Sequence, residues 1–280
     1  MNLVVQGARI EAADASGIAA LCGAKSVEQI GELAWRLRDA AQSESIAGRV
    51  EEFCARRSVD HAWVPPGRKF SGLGLIAMDM DSTLITIECI DEIGGMLGIK
   101  AQIAAITERA MRGEIDFAES LKGRVALLAG LGIEALDRVY DEKLRLSPGA
   151  ERLVQRAQGL GIRTLLVSGG FTFFTERLKK RLGLDYTLSN VLEIEDGKLT
   201  GRVSGRVVDA AAKATRLVEL AHALGLRRDQ TLAIGDGAND VPMMMEAGVS
   251  VAYRAKPVVR AKATHALSHS GLDGVIDLFE

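Results

Sequence analysis

The chain has 280 residues, 48% hydrophobic and 26% charged, which is ordinary globular usage and long enough for one large domain or two smaller ones. Its 35 basic and 37 acidic residues leave a formal charge of −2, which excludes a globally basic nucleic-acid binder and an acidic disordered tail. Cys22, Cys54 and Cys89 are scattered without a CxxC pair, against a disulfide scaffold or a structural zinc site and in keeping with a reducing cytoplasm; neither a leader nor a membrane-length apolar run is read.

Residues 1–68 are expected to form a small α/β module. Leu3–Val5 reads as a short strand. The stripe Ile30, Leu33, Ala34, Leu37 predicts a helix over 27–41 with Ser26 as its N-cap. Ile46–Ala55 reads as a second helix and Ala62–Val64 as a strand, with Trp35 and Trp63 as packing residues. Pro65-Pro66-Gly67 then breaks the pattern, and residues 69–280 are expected to form the second unit.

In that unit four short apolar runs, Leu73–Met78, Thr164–Val167, Thr231–Ile234 and Val249–Ala252, suit strands buried on both faces of a parallel sheet. Helical patterns over 150–158, 173–182, 211–224 and 241–247 separate them, so the expected fold is a doubly wound, Rossmann-like α/β sheet. Three runs end in polar or glycine-rich turns, and ligands of such sheets bind beyond the carboxyl ends of the strands. A helical stretch at about 88–146 falls between the first and second strands and should form a cap over that crevice. Alternation from Leu192 to Val203, broken by Asp196-Gly197, predicts a hairpin.

The chemistry gathers at the strand ends. Asp79 and Asp81 stand two residues apart after the first run, and buried like charges so close need a cation or a shared proton. A hard divalent ion such as Mg²⁺ meets that need with oxygen ligands. Asp236 and Asp240 follow the third run. Aspartates also serve as helix caps and turn formers, but four of them at strand ends point to a site. Ser168-Gly169-Gly170 offers a hydroxyl and backbone amides for an anion. Lys213, near the start of its helix, gains meaning only from the aspartates. Such a set suits phosphoryl transfer, in which positioning and charge neutralisation dominate. With no GxxxxGK[ST] loop and no nucleophile elbow, a carboxylate nucleophile fits best.

Asp79–Thr83, Ser168–Gly170, Lys213 and Gly235–Asp240 resemble, in order, the four motifs of the haloacid-dehalogenase-like phosphatase superfamily. The stretches Asp79–Gly94, Arg109–Arg124 and Ser168–Phe174 resemble more narrowly the phosphoserine phosphatases, in their long bacterial form. The resemblance runs from about Phe70 onward. It implies that Asp79 is the nucleophile, that Asp81 is general acid and then base, and that Asp79, the Asp81 carbonyl and Asp236 hold Mg²⁺. It implies that Ser168, Gly169 and Lys213 bind the phosphoryl group, with Asn239 beside it and Asp240 supporting Lys213. In the cap it implies Glu88 for the substrate ammonium, Arg124 for its carboxylate, and Met111 and Phe117 as an apolar wall. Cys89 and the four histidines are given no chemical role. The implied protein is a cytoplasmic enzyme, monomeric or homodimeric. It would act on a small molecule, without nucleic acid or membrane, at the last step of serine biosynthesis. Two other readings stay open: a phosphatase or phosphotransferase for another small phosphomonoester, with an acceptor such as homoserine, and a receiver-like module phosphorylated on Asp79. Gly94, Gly95 and Gly98 are candidates for a lid hinge or for a helix end.

Overall fold

The computed structural model describes residues 1–280. At the N-terminus β1 (Asn2–Gln6), α1 (Ala12–Cys22), β2 (Ser26–Gly31), β3 (Ala34–Arg38), α2 (Glu44–Arg57) and β4 (Asp60–Val64) build a four-stranded antiparallel sheet in the order β2-β3-β1-β4. Leu3, Val5, Trp35 and Leu37 project from one face into a core shared with Ile18, Cys22, Val50 and Cys54 of the two helices. The other face, through Val4, Ala62 and Val64, joins the main core of the molecule.

The helix expected over 27–41 is instead the hairpin β2–β3, in which Gly31 pairs with Ala34 across the turn at Glu32-Leu33. The i, i+3, i+4, i+7 stripe misleads because it is not a buried face: Leu33 is 44% exposed. Val27, Ile30 and Trp35 favour extended backbone, and Gly31 would weaken a helix interior. Four successive residues of β3 are buried because both faces of the sheet are covered. Ser26 is therefore the first residue of a strand and caps nothing. Helix α1 carried no clear stripe in the sequence. It is closed at one end by a hydrogen bond from the Glu11 N–H to Asp14 and at the other by Gly23 in the left-handed region.

The remainder is built on β5 (Leu75–Met78), followed by α3 (Cys89–Met96), α4 (Lys100–Met111), α5 (Phe117–Ala126) and α6 (Glu134–Arg138). Then come α7 (Ala150–Gly159), β6 (Arg163–Phe171), α8 (Thr172–Leu182), β7 (Tyr186–Glu195), β8 (Lys198–Ser204) and α9 (Ala210–Ala223). The chain continues through β9 (Thr231–Gly235), α10 (Val241–Glu246), β10 (Val249–Tyr253), α11 (Pro257–Arg260) and β11 (His265–Leu267). The seven strands run in the order β11-β10-β9-β5-β6-β7-β8, parallel except where β8 turns back on β7. Helices cover both faces, as a parallel sheet requires. The turn between β7 and β8 is Asp196-Gly197, both with positive φ, as a two-residue hairpin demands. Helices α3–α6 lie between β5 and β6 and form the cap. Gly94 in α3 is a packing position, since a Cβ there would meet Ile103 Cδ1 at 2.4 Å, whereas Gly98 ends the turn with φ 71°. No helix is long and apolar enough to cross a membrane.

The two sheets are joined through residues 268–280. Asp60 of β4 accepts hydrogen bonds from the backbone N–H groups of Ser268, His269 and Ser270. Arg36, 3% exposed, donates to the carbonyls of Asp277 and Phe279. His265 lies beside this junction, and burial with Arg68 nearby pushes its imidazole down to about 4. The folded state therefore holds it neutral while the unfolded chain protonates near 6.5, so its share of stability is complete above pH 6.5 and is lost as pH falls toward 4. Half-buried Asp277, pushed up to about 6, acts in the opposite sense over part of that range. Comparing His265→Gln with the parent isolates the histidine. The variant should lose about 2 kcal/mol less stability between pH 7 and pH 4 in denaturant titrations. Parallel pH slopes would refute the assignment.

Candidate active site

Strands β5, β6 and β9 are neighbours in the sheet, so their carboxyl ends bring Asp79, Ser168 and Asp236 to one crevice. Asp79 is 5% exposed. Its N–H continues the sheet to the Ile234 carbonyl at 3.0 Å. Its Oδ1 accepts the Met80 N–H at 2.8 Å and meets Lys213 Nζ at 2.8 Å. Lys213, only 1% exposed, is shared with Asp240 Oδ1, also at 2.8 Å. Helix α9 delivers that lysine on its first turn, capped by Asp209 accepting the Ala212 N–H. Asp240 Oδ2 takes the Asp236 and Gly237 amides at 3.2 and 3.0 Å, which fixes the loop after β9.

Charge is unevenly balanced here. Burial, then Asp240, raises Asp79 well above the usual carboxylate range. Burial, then Glu88, pushes Asp81 up to about 7, and burial with Asp240 pushes Asp236 to about 6. Burial alone would lower Lys213, but Asp240 and Asp79 outweigh it and raise the ammonium above its ordinary value. Asp79, Asp236 and Asp240 each offer a carboxylate oxygen, and these oxygens lie within 4.8 Å of one another. Both oxygens of Asp240 are already engaged, whereas Asp79 and Asp236 each keep one without a hydrogen bond. An all-oxygen, over-charged cluster of this kind fits a hard divalent cation. The Asp81 carboxylate stands outside it, accepting the Cys89 N–H at 3.0 Å.

Asp79, Asp81, Ser168 and Asp236 line a cavity of about 120 Å³, together with Glu88, Ile90, Phe117, Leu121, Arg124, Gly169, Gly170, Phe171 and Asn239. The Ser168 hydroxyl accepts the Gly170 N–H at 2.8 Å, so that amide is turned away from any ligand. Gly170 has no room for a side chain, because a Cβ would stand 2.8 Å from Asp81 Oδ2 and 2.9 Å from Met80 Cε. Phe117 reaches down from the cap onto Gly169. Glu88 is held by Ser82, whose hydroxyl donates to Oε1 at 2.7 Å from a residue with φ 54°. Arg124 lines the same cavity half-buried, with only Nε engaged, donating to the Ser120 carbonyl at 3.3 Å.

The structure thus brings together Asp79, Asp81, Glu88, Phe117, Arg124, Ser168, Gly169, Asp236 and Asn239 around the cavity, with Lys213 and Asp240 directly beneath Asp79. It does not bring in Met111, which is 69% exposed and lines a neighbouring groove. Ile90, Leu121 and Phe171 supply the apolar wall instead. Helical periodicity on α3 and α5 could have suggested the first two. Thr83, donating to Asp236 Oδ1 at 2.9 Å, stands inside the first motif and was legible there. Asn190 was not: buried in β7, it donates to the Gly169 carbonyl and accepts the Val208 N–H, both at 2.8 Å. It ties the phosphate-loop candidate to the segment that leads into α9. Cys89 is buried, and burial raises its thiol well above the usual range, consistent with packing alone.

The family model for haloacid dehalogenase-like hydrolases matches residues 76–245. The chain belongs to that family. Residues 3–46 match a domain family of unknown function. A phosphoserine phosphatase of a Polaromonas species is 56% identical over 218 residues, which is 76% of this chain and 92% of the relative. Among solved structures, a haloacid dehalogenase-family hydrolase of Salmonella enterica superposes with a TM-score of 0.90 at 32% identity, over 100% of this chain and 98% of that one. A probable phosphoserine phosphatase of Vibrio cholerae superposes with a TM-score of 0.87 at 39% identity, over 99% of this chain and 86% of the other. Both superpositions extend over the N-terminal sheet as well as the hydrolase core.

Proposed function

We propose that the chain hydrolyses L-phosphoserine to serine and inorganic phosphate. The observation that carries this is the layout of the cavity: Glu88 and Arg124, of opposite charge, stand in the same small space as Asp79, Asp81 and Ser168. A phosphomonoester bearing both an ammonium and a carboxylate meets a partner for each group, and the guanidinium can take the carboxylate through two parallel hydrogen bonds. The 56% identical relative carries the same activity in its name.

In this reading the Asp79 carboxylate attacks phosphorus in line. The Asp79 oxygen–phosphorus bond forms as the phosphorus–serine oxygen bond breaks, and protonated Asp81 delivers its proton to the leaving oxygen. A pKa near 7 suits a group that must give a proton and then recover it. Once serine has left, Asp81 takes a proton from water, which attacks the aspartyl-phosphate and frees both phosphate and Asp79. Lys213 holds Asp79 and offsets part of the phosphoryl charge, while Ser168 and the Gly169 amide bind the phosphoryl oxygens. Mg²⁺, held by Asp79, Asp236 and the Asp81 carbonyl, would neutralise charge on the phosphoryl group. Thr83 and Asp240 position Asp236 and its loop.

Phosphate release from L-phosphoserine with added Mg²⁺, beside a panel of other phosphate esters, tests the substrate. Arg124→Ala should lower kcat/KM for phosphoserine by about 100-fold while p-nitrophenyl phosphate changes by less than about threefold. Equal losses on both esters would remove the carboxylate clamp and favour a different small phosphomonoester.

A further inference from the structure

A second depression, of about 580 Å³, adjoins the catalytic cavity and shares Asp236 and Asn239 with it. Ser82, Thr86, Arg254 and Lys256 contribute to its wall. Both cations are exposed. Elsewhere exposed arginines such as Arg38, Arg138 and Arg202 are tied to carboxylates, but neither Arg254 nor Lys256 has such a partner. Arg254 also holds a left-handed backbone, φ 49°, where glycine would sit freely, so a charged side chain is kept there against a conformational cost. It follows directly on Tyr253, which is fully buried and fixes the end of β10.

Of the chain's own groups, the reaction centre presents mostly carboxylates to an approaching anion. Asp79, Asp81, Glu88 and Asp236 line it, and Lys213 is buried beneath Asp79 and shared with Asp240, out of reach of solvent. Arg124 stands on the cap side. A dianion approaching from solvent therefore finds unpaired positive charge on the side of Arg254 and Lys256. At low ionic strength such a field reaches on the order of 10 Å or more.

We propose that this groove is a capture site for phosphate dianions, used by the phosphomonoester on its way to Asp79 and by inorganic phosphate on its way out. The proposal deepens the phosphatase reading and rests on it. The test is the double variant Arg254→Gln/Lys256→Gln, in which both altered side chains are exposed and outside the catalytic contacts, so an unchanged Tm is the first control. Inorganic phosphate binding, measured by titration calorimetry with Mg²⁺ present, should weaken about 5–10-fold at about 20 mM ionic strength and less than about twofold at about 300 mM. The kcat/KM for phosphoserine should fall in parallel at low salt with kcat unchanged. Weaker phosphate binding with unchanged kcat/KM assigns the groove to the product, and the converse assigns it to the incoming ester. Equal phosphate affinity together with equal kcat/KM at low salt overturns the proposal, as does a deficit of the same size at both ionic strengths. The phosphate titration needs no turnover, so a failure of the groove is distinguishable from a wrong substrate.

Discussion

Asp79→Asn should abolish phosphoserine hydrolysis, with kcat falling on the order of 10⁴-fold or more, while the protein stays folded. The amide has the shape of the carboxylate and can still accept from Met80 N–H and Lys213 through its oxygen. It lacks the charge and the lone-pair reactivity to form a bond to phosphorus. Stability should hold or rise, because burial and Asp240 already press Asp79 toward its neutral form. Steady-state phosphate release beside a thermal melt separates the two effects. Activity within about tenfold of the parent would remove Asp79 from the nucleophile position.

Lys213→Met should be costly to both fold and activity. The lysine is 1% exposed and stands 2.8 Å from both Asp79 and Asp240. Methionine keeps much of the volume but leaves two buried carboxylates facing each other. Removing one partner of such a group costs about 3–5 kcal/mol, so the melt in EDTA should shift sharply downward. Added Mg²⁺ should restore part of the loss, since the cation can take over some of the neutralisation, and adding Asp240→Asn should restore part without metal. Activity should fall about 10³-fold even at saturating Mg²⁺, because no other buried ammonium faces the phosphoryl group. A melt unaltered in EDTA would mean that the carboxylates are already protonated in the parent protein.

The hydrolase sheet could be read from the chain because strands buried on both faces are short unbroken apolar runs, each ending where its chemistry begins. Asp79, Ser168 and Asp236 are visible for that reason: sheet order brings strand ends together whatever lies between them in sequence. The N-terminal hairpin carries a stripe of Ile30, Leu33, Ala34 and Leu37 that suggests a helix, because such a stripe looks alike whether or not one face buries it. Only the C-terminal residues covering its second side explain why all of β3 but Arg38 is buried. Asn190 was invisible for a different reason. Its partners are backbone groups of Gly169 and Val208, which have no sequence signature. Met111 stands on the rim, lining the groove beside the cavity, a place that depends on how α4 ends and how the cap is seated.

The clasp between the N-terminal sheet and residues 268–280 bears on the order in which the molecule assembles. Arg36 must wait for a carbonyl 241 residues further along, and Asp60 for amides more than 200 residues away. During synthesis the first sheet emerges early with one side uncovered and a guanidinium unanswered. Contacts of such long sequence separation form slowly. The second face of the N-terminal sheet can therefore be clasped only once residues 268–280 have been made. Nascent chains halted before residue 268 should leave that sheet open to proteolysis even where the reaction centre has already closed.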